Sequence, residues 1–203
     1  MEPTRQSFSV IRLPRRRLIS NVRRDMNQHL RSSVKSGIAK IGIRLVVVLA
    51  MGATIGCDRI TKQIAATKLT GMPRQSFCAD TIRLEYVENS GAFLGLGADW
   101  SPAVRTALFG IGNGLLLFLM SVLAIRHRWP RMALVGMAFF VAGGSSNLLD
   151  RLTRGSVIDF INVGLGPLRT GIFNVADVAI MLGVGLVIIA SYHDGDARTE
   201  SST

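Results

Sequence analysis

Four long apolar stretches limit the folds that are open to this chain. They cover residues 41–67, 106–125, 132–149 and 173–192. A helix needs about 20 apolar residues to cross the hydrocarbon core of a bilayer. It can do so because its backbone N–H and C=O groups form hydrogen bonds with each other. The four stretches therefore predict an all-α integral membrane protein with four transmembrane helices.

The composition agrees with a membrane protein and argues against a nucleic-acid-binding one. The 203 residues include 24 Lys and Arg and 13 Asp and Glu, and 48% of all residues are hydrophobic. A nucleic-acid-binding surface needs clustered basic residues in a recognisable module, whereas here the apolar stretches interrupt them. We expect membrane lipids as partners and no nucleic acid.

The basic residues also predict how the helices are oriented. They concentrate in the N-terminal segment and in the turn at 126–131, and basic segments stay on the cytoplasmic side of a membrane. We therefore predict that both termini are cytoplasmic, and that segments 68–102 and 150–172 lie outside.

The chain is expected to divide into a membrane domain, residues 41–192, and two tails. Residues 1–40 are basic without a sustained apolar period, which predicts a disordered or loosely helical cytoplasmic tail attracted to anionic lipid headgroups. Initiation at Met26 would shorten this tail without touching the membrane domain. Residues 193–203 form a short cytoplasmic C-terminal tail.

The outer segment 68–102 contains a strand signal. Residues 81–88, ThrIleArgLeuGluTyrValGlu, alternate apolar and polar side chains, which is the pattern of a half-buried strand. Asn89 and Gly91 follow in a run of small and turn-forming residues that leave the backbone free near a ligand. We predict a small β element and loop on the outer membrane face.

Polar residues flank the outer ends of the predicted helices. Asp58 and Lys62 are one helical turn apart with the acid first, which is the favourable order for an ion pair. Asn147, Asp150 and Arg151 share one face of the third helix by the same spacing. Solvated charges need not gather at one membrane face, so this concentration indicates a site.

Asp159 and Asp177 lie in apolar surroundings. Asp159 is in ValIleAspPheIle, and Asp177 follows Asn174 by three residues in the first turn of the fourth helix. The helix dipole favours a carboxylate there, and Asn174 suits the N-cap position. Carboxylates held among apolar residues at a membrane are paired, neutralised or functional.

Two neighbouring aspartates can carry out acid–base chemistry, because they share one proton when they lie close together. One acts on a water as general base while the other polarises a carbonyl, as in aspartic proteases. The same residues fit a proton or ion pathway, although residues 107–125 and 179–191 offer almost no polar groups for one. Cys57, Cys78 and the three scattered histidines indicate no metal site.

Four ordered blocks of sequence carry a family resemblance. They are AspArgIleThrLys (58–62), AsnSerGlyAlaPhe (89–93), AsnLeuLeuAspArg (147–151) continuing through ValIleAspPheIle (157–161), and PheAsnValAlaAsp (173–177). From about residue 41 to 192 the chain resembles bacterial lipoprotein signal peptidase (signal peptidase II), a four-helix membrane aspartic endopeptidase. The resemblance implies removal of the signal peptide from diacylglyceryl-modified prolipoproteins, by a cut before the lipidated cysteine, without a metal or an organic cofactor.

The resemblance also implies a role for each matching residue. Asp159 and Asp177 would be the catalytic pair. The residues that would bind substrate or position the site are Asn89, Gly91, Asn147, Arg151 and Asn174. Those that would stabilise the helix ends are Asp58, Lys62 and Asp150. The protein is then expected to act as a monomer in the bacterial inner membrane, with its active site at the periplasmic face.

Two departures from the family pattern leave other functions open. Ser146 precedes Asn147 where the family usually has Gly, and residues 169–172, ArgThrGlyIle, replace an aromatic and a proline that often precede the last block. Neither departure removes a catalytic group. We therefore expect a prolipoprotein signal peptidase; the alternatives are a weak or inactive paralogue that binds lipoprotein precursors, and a small proton- or ion-translocating protein.

Overall fold

The computed structural model of the protein describes residues 15–92, 96–127 and 129–200. The helices in these ranges are α1 (Arg15–Lys68), α2 (Pro102–Arg126), α3 (Arg131–Arg154) and α4 (Val175–Glu200). The segments long and apolar enough to cross a membrane, among the residues described, are Gly37–Lys68, Pro102–Arg126, Arg131–Arg154 and Val175–His193.

The contacts divide the chain into two units after Arg44. In the N-terminal unit the described backbone is helical from Arg15 onward, in the segment that the sequence predicts to be a disordered or loosely helical tail. Residues 15–36 contain no Gly or Pro and include six Arg, a residue that favours a helix even without an apolar period. Residues 1–14 of the predicted tail lie outside the described residues.

The strands form one antiparallel sheet in the order β1-β2-β3-β4. They are β1 (Gln75–Phe77), β2 (Ile82–Asn89), β3 (Val157–Leu165) and β4 (Leu168–Arg169). β2 corresponds to the strand predicted at 81–88. Four candidate membrane spans and one small sheet confirm the predicted fold class.

β3 lies in the segment 150–172, for which the sequence predicts an outer position but no strand. The first four residues of β3 are all buried, and a strand buried on both faces shows no alternation of apolar and polar residues. β3 pairs with β2, so that Val87 lies opposite Asp159 and Asn89 lies opposite Val157. This pairing brings two widely separated parts of the sequence together.

The sheet packs on the C-terminal end of α1. Ile158 and Phe160 from β3 form a buried cluster with Ala65 and Leu69. Each large apolar side chain buried in this way contributes about 1.5–3 kcal/mol to folding. Because successive residues of a strand point to opposite faces, Asp159 points away from this cluster.

Helices α3 and α4 approach each other closely at glycines. A Cβ at Gly183 would lie 2.5 Å from the carbonyl oxygen of Gly136, and one at Gly143 would lie 2.5 Å from the carbonyl oxygen of Ala176. The obstructing atoms belong to the backbone, which cannot turn aside as the end of a side chain can. The glycines therefore let α3 pack directly against the first turns of α4.

Gly183→Ala is expected to lower the stability of the protein by about 1–3 kcal/mol, because the added methyl overpacks this contact. Gly185→Ala on the same helix is the matched control: its Cβ would have nothing within 4 Å, and Ala favours a helix by up to about 1 kcal/mol over Gly. Thermal denaturation in detergent measures both. A Gly183→Ala protein with the same melting temperature as the wild type would show that the contact tolerates a methyl group.

Candidate active site

Asp159 is 3% exposed and is held by two asparagines. Its Oδ1 accepts a hydrogen bond from the side-chain amide of Asn174 at 2.7 Å, and its Oδ2 accepts one from the amide of Asn89 at 2.9 Å. The Oδ1 of Asn89 in turn accepts from the backbone N–H of Gly91 at 3.0 Å. The amide of Asn89 is therefore oriented with its N–H groups toward Asp159.

Asp177 caps the start of α4 together with Asn174. The backbone N–H of Asn174 donates to Asp177 Oδ2 at 3.1 Å, and the backbone N–H of Asp177 donates to Asn174 Oδ1 at 2.9 Å. This reciprocal pair is a capping box, of which the sequence pattern identified only Asn174. The other oxygen, Asp177 Oδ1, accepts from the side-chain amide of Asn147 at 2.8 Å.

The amides of Asn147 and Asn174 are each oriented by a group that can only donate. Lys62 Nζ donates to Asn147 Oδ1 at 2.7 Å, so the N–H groups of Asn147 are left for Asp177. The backbone N–H of Asp177 occupies Asn174 Oδ1, so the N–H groups of Asn174 face Asp159. Both amides therefore donate to the aspartates, and all four carboxylate oxygens of the pair accept a hydrogen bond.

Behind Asn147 lies a buried cluster of charges. Lys62 Nζ is 2.7 Å from Asp58 Oδ2 and 2.8 Å from Asp150 Oδ2, and these three residues are 2%, 0% and 1% exposed. Arg59, which is partly exposed, also pairs with Asp150. Two positive charges thus balance two negative ones, which buried ions require.

Three members of this cluster are predicted from the sequence, whereas Arg59 is not. The partners of Asp150 are Arg59 and Lys62 and not the neighbouring Arg151, because adjacent residues do not face each other on a helix. Arg59 adjoins Asp58 in the same sequence block, which is the signal that could have identified it. The pairing itself depends on how α1 packs against α3.

Arg151 reaches from α3 to the loop that follows β2. Its Nη2 donates to the carbonyl oxygen of Gly91 at 2.8 Å. Its guanidinium carbon lies 5.9 Å from the ring centroid of Phe109, within cation–π range. Phe109 belongs to a π-helical segment of α2, Thr106–Gly112, and such segments are frequent at functional sites. The buried Nε of Arg151 has no hydrogen-bond partner among the described residues.

Both aspartates line one small cavity of about 20 Å³, which has room for a single water. Its lining residues are Asn89, Ala92, Asn147, Arg151, Val157, Asp159, Ile172 and Asp177. Asp177 also lines two larger cavities of about 450 and about 340 Å³. Within the described part of the chain, no three His, Cys, Asp or Glu side chains are arranged to hold a metal ion.

The ten residues predicted for the site fall into two connected groups. Around the small cavity lie Asn89, Gly91, Asn147, Arg151, Asp159, Asn174 and Asp177. In the buried charge cluster lie Asp58, Lys62 and Asp150. The hydrogen bond from Lys62 to Asn147 connects the two groups.

Burial raises the pKa of Asp159 from its usual 3.8 to about 6. The hydrogen bond from Asn89 lowers the pKa, the negative charge of Asp177 raises it, and the hydrogen bond from Asn174 and the charge of Lys62 lower it. Burial prevails because it disfavours the charged form of the carboxyl group. Asp159 therefore retains a proton at pH values where an exposed aspartate has lost it.

This pKa predicts how stability depends on pH. The folded protein holds the Asp159 proton up to about pH 6, whereas the unfolded chain releases it near 3.8. The contribution to stability, about 3 kcal/mol at 1.36 kcal/mol per pKa unit, is therefore complete below pH 3.8 and is lost as pH rises through about 6. Asp159→Asn does not titrate at this position.

Between pH 4 and pH 7.5, the melting temperature of the wild type should consequently fall by several degrees relative to that of Asp159→Asn, since 1 kcal/mol corresponds to about 2–4 °C in a chain of this size. Melting curves in detergent across this pH range measure the difference. If the melting temperatures of the two proteins change by the same amount across this pH range, the raised pKa of Asp159 is contradicted.

Comparison with known proteins identifies the family. The family described as Signal peptidase (SPase) II matches residues 50–193. A lipoprotein signal peptidase of Azoarcus sp. is 35% identical over 161 residues, which are 76% of this chain and 86% of the relative. One of Desulforapulum autotrophicum is 32% identical over 160 residues, 74% of this chain and 93% of the relative.

A solved structure described as a bacterial membrane enzyme shares the fold. It has a TM-score of 0.64 and 26% sequence identity, over 73% of this chain and 88% of the other. Together with the four candidate membrane spans, these matches confirm a multi-pass bacterial membrane protein and an aspartic-type signal peptidase. The chain belongs to the signal peptidase II family.

Proposed function

We propose that Asp159 and Asp177 are the catalytic pair of this signal peptidase. Its substrates are diacylglyceryl-modified prolipoproteins, which it cuts before the lipidated cysteine. The observation that carries the proposal is that both carboxylates line one cavity with room for a single water. Each carboxylate is also oriented by asparagine amides, so the pair is held in place before substrate arrives.

The pair divides into an acid and a base. Asp159 holds the shared proton, because burial raises its pKa to about 6. Asp177 is the ionised partner, because it lies in the first turn of α4, where the helix dipole and the N–H of Asn174 favour a carboxylate. The two environments thus assign different roles to two identical side chains.

Hydrolysis then proceeds in two steps. As the water oxygen attacks the scissile carbonyl carbon, Asp177 takes a proton from the water and Asp159 gives its proton to the carbonyl oxygen. The intermediate then breaks its C–N bond. The leaving nitrogen takes the proton from Asp177, and one hydroxyl of the intermediate returns a proton to Asp159, which restores the pair.

Arg151, Asn89 and Gly91 contact the substrate beside this pair. The Arg151 guanidinium and the Gly91 carbonyl are joined at 2.8 Å and form a wall of the site. The buried Nε of Arg151 has no hydrogen-bond partner among the described residues. It is a donor for a substrate carbonyl. Asn147 and Asn174 position the aspartates, and the charge cluster behind them stabilises the helix ends.

The cavity of about 450 Å³ receives the lipid or apolar part of the substrate. Asp177 is its only charged lining residue among those described, and most of the others are apolar: Phe173, Val178, Met181, Leu182, Leu186 and Ile189. Such a cavity keeps the acyl chains in an apolar environment while the peptide bond meets the water at the aspartates. Placing the cavity beside the catalytic pair is what a membrane-held substrate requires.

The protein lies in the bacterial inner membrane with both termini in the cytoplasm and the site at the periplasmic face. The positive charge of the N-terminal segment and of the 126–131 turn supports this orientation. The enzyme acts as a monomer, since one chain supplies both carboxylates and every donor to them.

Cleavage of two matched precursors tests the proposal. Purified full-length protein in lipid nanodiscs is expected to cut a diacylglyceryl-modified prolipoprotein immediately before its cysteine and to leave the same precursor with an unmodified cysteine uncut. Mass spectrometry of the products locates the cut. Binding of the precursor without cleavage would instead support an inactive paralogue, and proton flux in liposomes without cleavage would support a translocating protein.

A further inference from the structure

Ser146 is a residue at which this chain departs from the usual family pattern, and it is 1% exposed. A serine within a helix commonly bonds back to a carbonyl of its own helix, as Ser121 does with the carbonyl of Leu117. Ser146 instead donates across to α1, where its Oγ lies 2.6 Å from Asp58 Oδ2. The departure therefore adds a contact between two helices.

Asp58 extends this contact to α4. Its Oδ1 accepts the backbone N–H of Ala176 at 2.9 Å. This N–H belongs to the first turn of α4, where backbone donors have no partner within the helix. Asp58 thus caps α4 from a different helix, and the residue it caps is followed directly by Asp177.

We infer that the Ser146 hydroxyl is a positioning group for Asp177, acting through Asp58. Lys62 binds the same oxygen of Asp58 at 2.7 Å, but its ammonium is a compact charge with rotatable donors, which it shares with Asp150 and Asn147. The hydroxyl adds a donor in one defined direction. It fixes the plane of the Asp58 carboxylate. The fixed carboxylate in turn sets the position of the first turn of α4, which carries Asp177.

The effect on the reaction should appear in kcat rather than in KM. Ser146 is absent from the linings of the small cavity and of both large ones, so it does not touch the substrate. It acts on the position of the base, which matters while the water is attacking. This inference rests on the proposed function, because it assumes that Asp177 is the base.

Ser146→Ala tests the inference in the prolipoprotein cleavage assay. It removes only the hydroxyl, and kcat is expected to fall about tenfold, the effect of losing one hydrogen bond to a charged group, with KM unchanged. Ser146→Cys should give an intermediate kcat, because a thiol is a weaker donor than a hydroxyl. Ser145→Ala, at a half-buried neighbouring position, should match the wild type.

Combining Ser146→Ala with Asp58→Asn shows whether the Ser146 hydroxyl affects kcat through Asp58. The contact then joins two neutral groups and is about half as strong, so removal of the Ser146 hydroxyl should lower kcat less in this background than in the wild type. An equal loss in both backgrounds, or a wild-type kcat for Ser146→Ala, would overturn the inference. If Asp177→Asn is inactive in the same assay, such a result leaves the proposed function intact; cleavage by Asp177→Asn would contradict that function itself.

Discussion

Asp177→Asn is expected to lower kcat for prolipoprotein cleavage by about 10²–10⁴-fold, the usual contribution of a positioned acid or base. An amide of nearly the same shape cannot take a proton from the attacking water. Asp159→Asn should have an effect of similar size, because the amide has no acidic proton to give to the carbonyl oxygen. Single-turnover cleavage with purified protein measures both losses without interference from product release.

The two variants must be shown to fold. In Asp177→Asn the amide can keep the hydrogen bond from Asn147, but its nitrogen cannot accept the backbone N–H of Asn174, so part of the helix cap is lost at a cost of about 1 kcal/mol. Melting temperature in detergent reports that cost separately from activity. Asp99→Asn is the matched control, since Asp99 is an exposed aspartate in the turn before α2, and it should cleave at the wild-type rate.

Near wild-type cleavage by either active-site variant, with this control behaving as expected, would remove the pair from the mechanism. A loss in Asp159→Asn alone would leave Asp177 as a cap of α4 and require a different base. A loss in both, with folded protein in each case, is the result expected from a shared proton.

The polar groups of the site could be predicted from the sequence because short-range spacing determines much of their arrangement. Asn174 and Asp177 are three residues apart at a helix start, and the structure joins them in a capping box. Asp58 and Lys62 are four apart on one helix, and the structure pairs them. In each case the periodicity of a helix is enough to bring the groups together.

The contacts that complete the site join residues far apart in sequence, and spacing carries no information about them. Arg59 pairs with Asp150 and Ser146 bonds to Asp58 only because α1 packs against α3 in one register. Asn89 reaches Asp159 because β2 pairs with β3, a strand whose continuous burial hides the alternation that identifies strands. These contacts are decided by packing, so they appear only in the folded chain.

Lys62→Met is expected to destabilise the protein by about 3–5 kcal/mol, the cost of removing one partner from a buried ion pair. It leaves the carboxylates of Asp58 and Asp150, both at most 1% exposed, with only the partly exposed Arg59 as a counter-charge. Little folded protein should be recovered from membranes. Lys68→Met at the exposed end of α1 is the matched control and should be neutral.

A second substitution separates charge balance from positioning. Asp58→Asn added to Lys62→Met leaves one positive and one negative charge, and the amide at position 58 can accept the Ala176 N–H and donate to the Ser146 oxygen. The double variant should therefore have a higher melting temperature than Lys62→Met alone. A double variant no more stable than the single one would mean that charge balance is not what Lys62 contributes.

Activity should nevertheless stay low in the stabilised double variant. Without Lys62, the oxygen of Asn147 keeps only the longer hydrogen bond from Asn174 at 3.2 Å, so the amide is free to turn its oxygen toward Asp177. Such a turn places two acceptors face to face where a donor is needed. Restored stability with a low kcat would show that Lys62 orients Asp177 through Asn147, whereas recovery of both stability and kcat would reduce the role of Lys62 to neutralising buried charge.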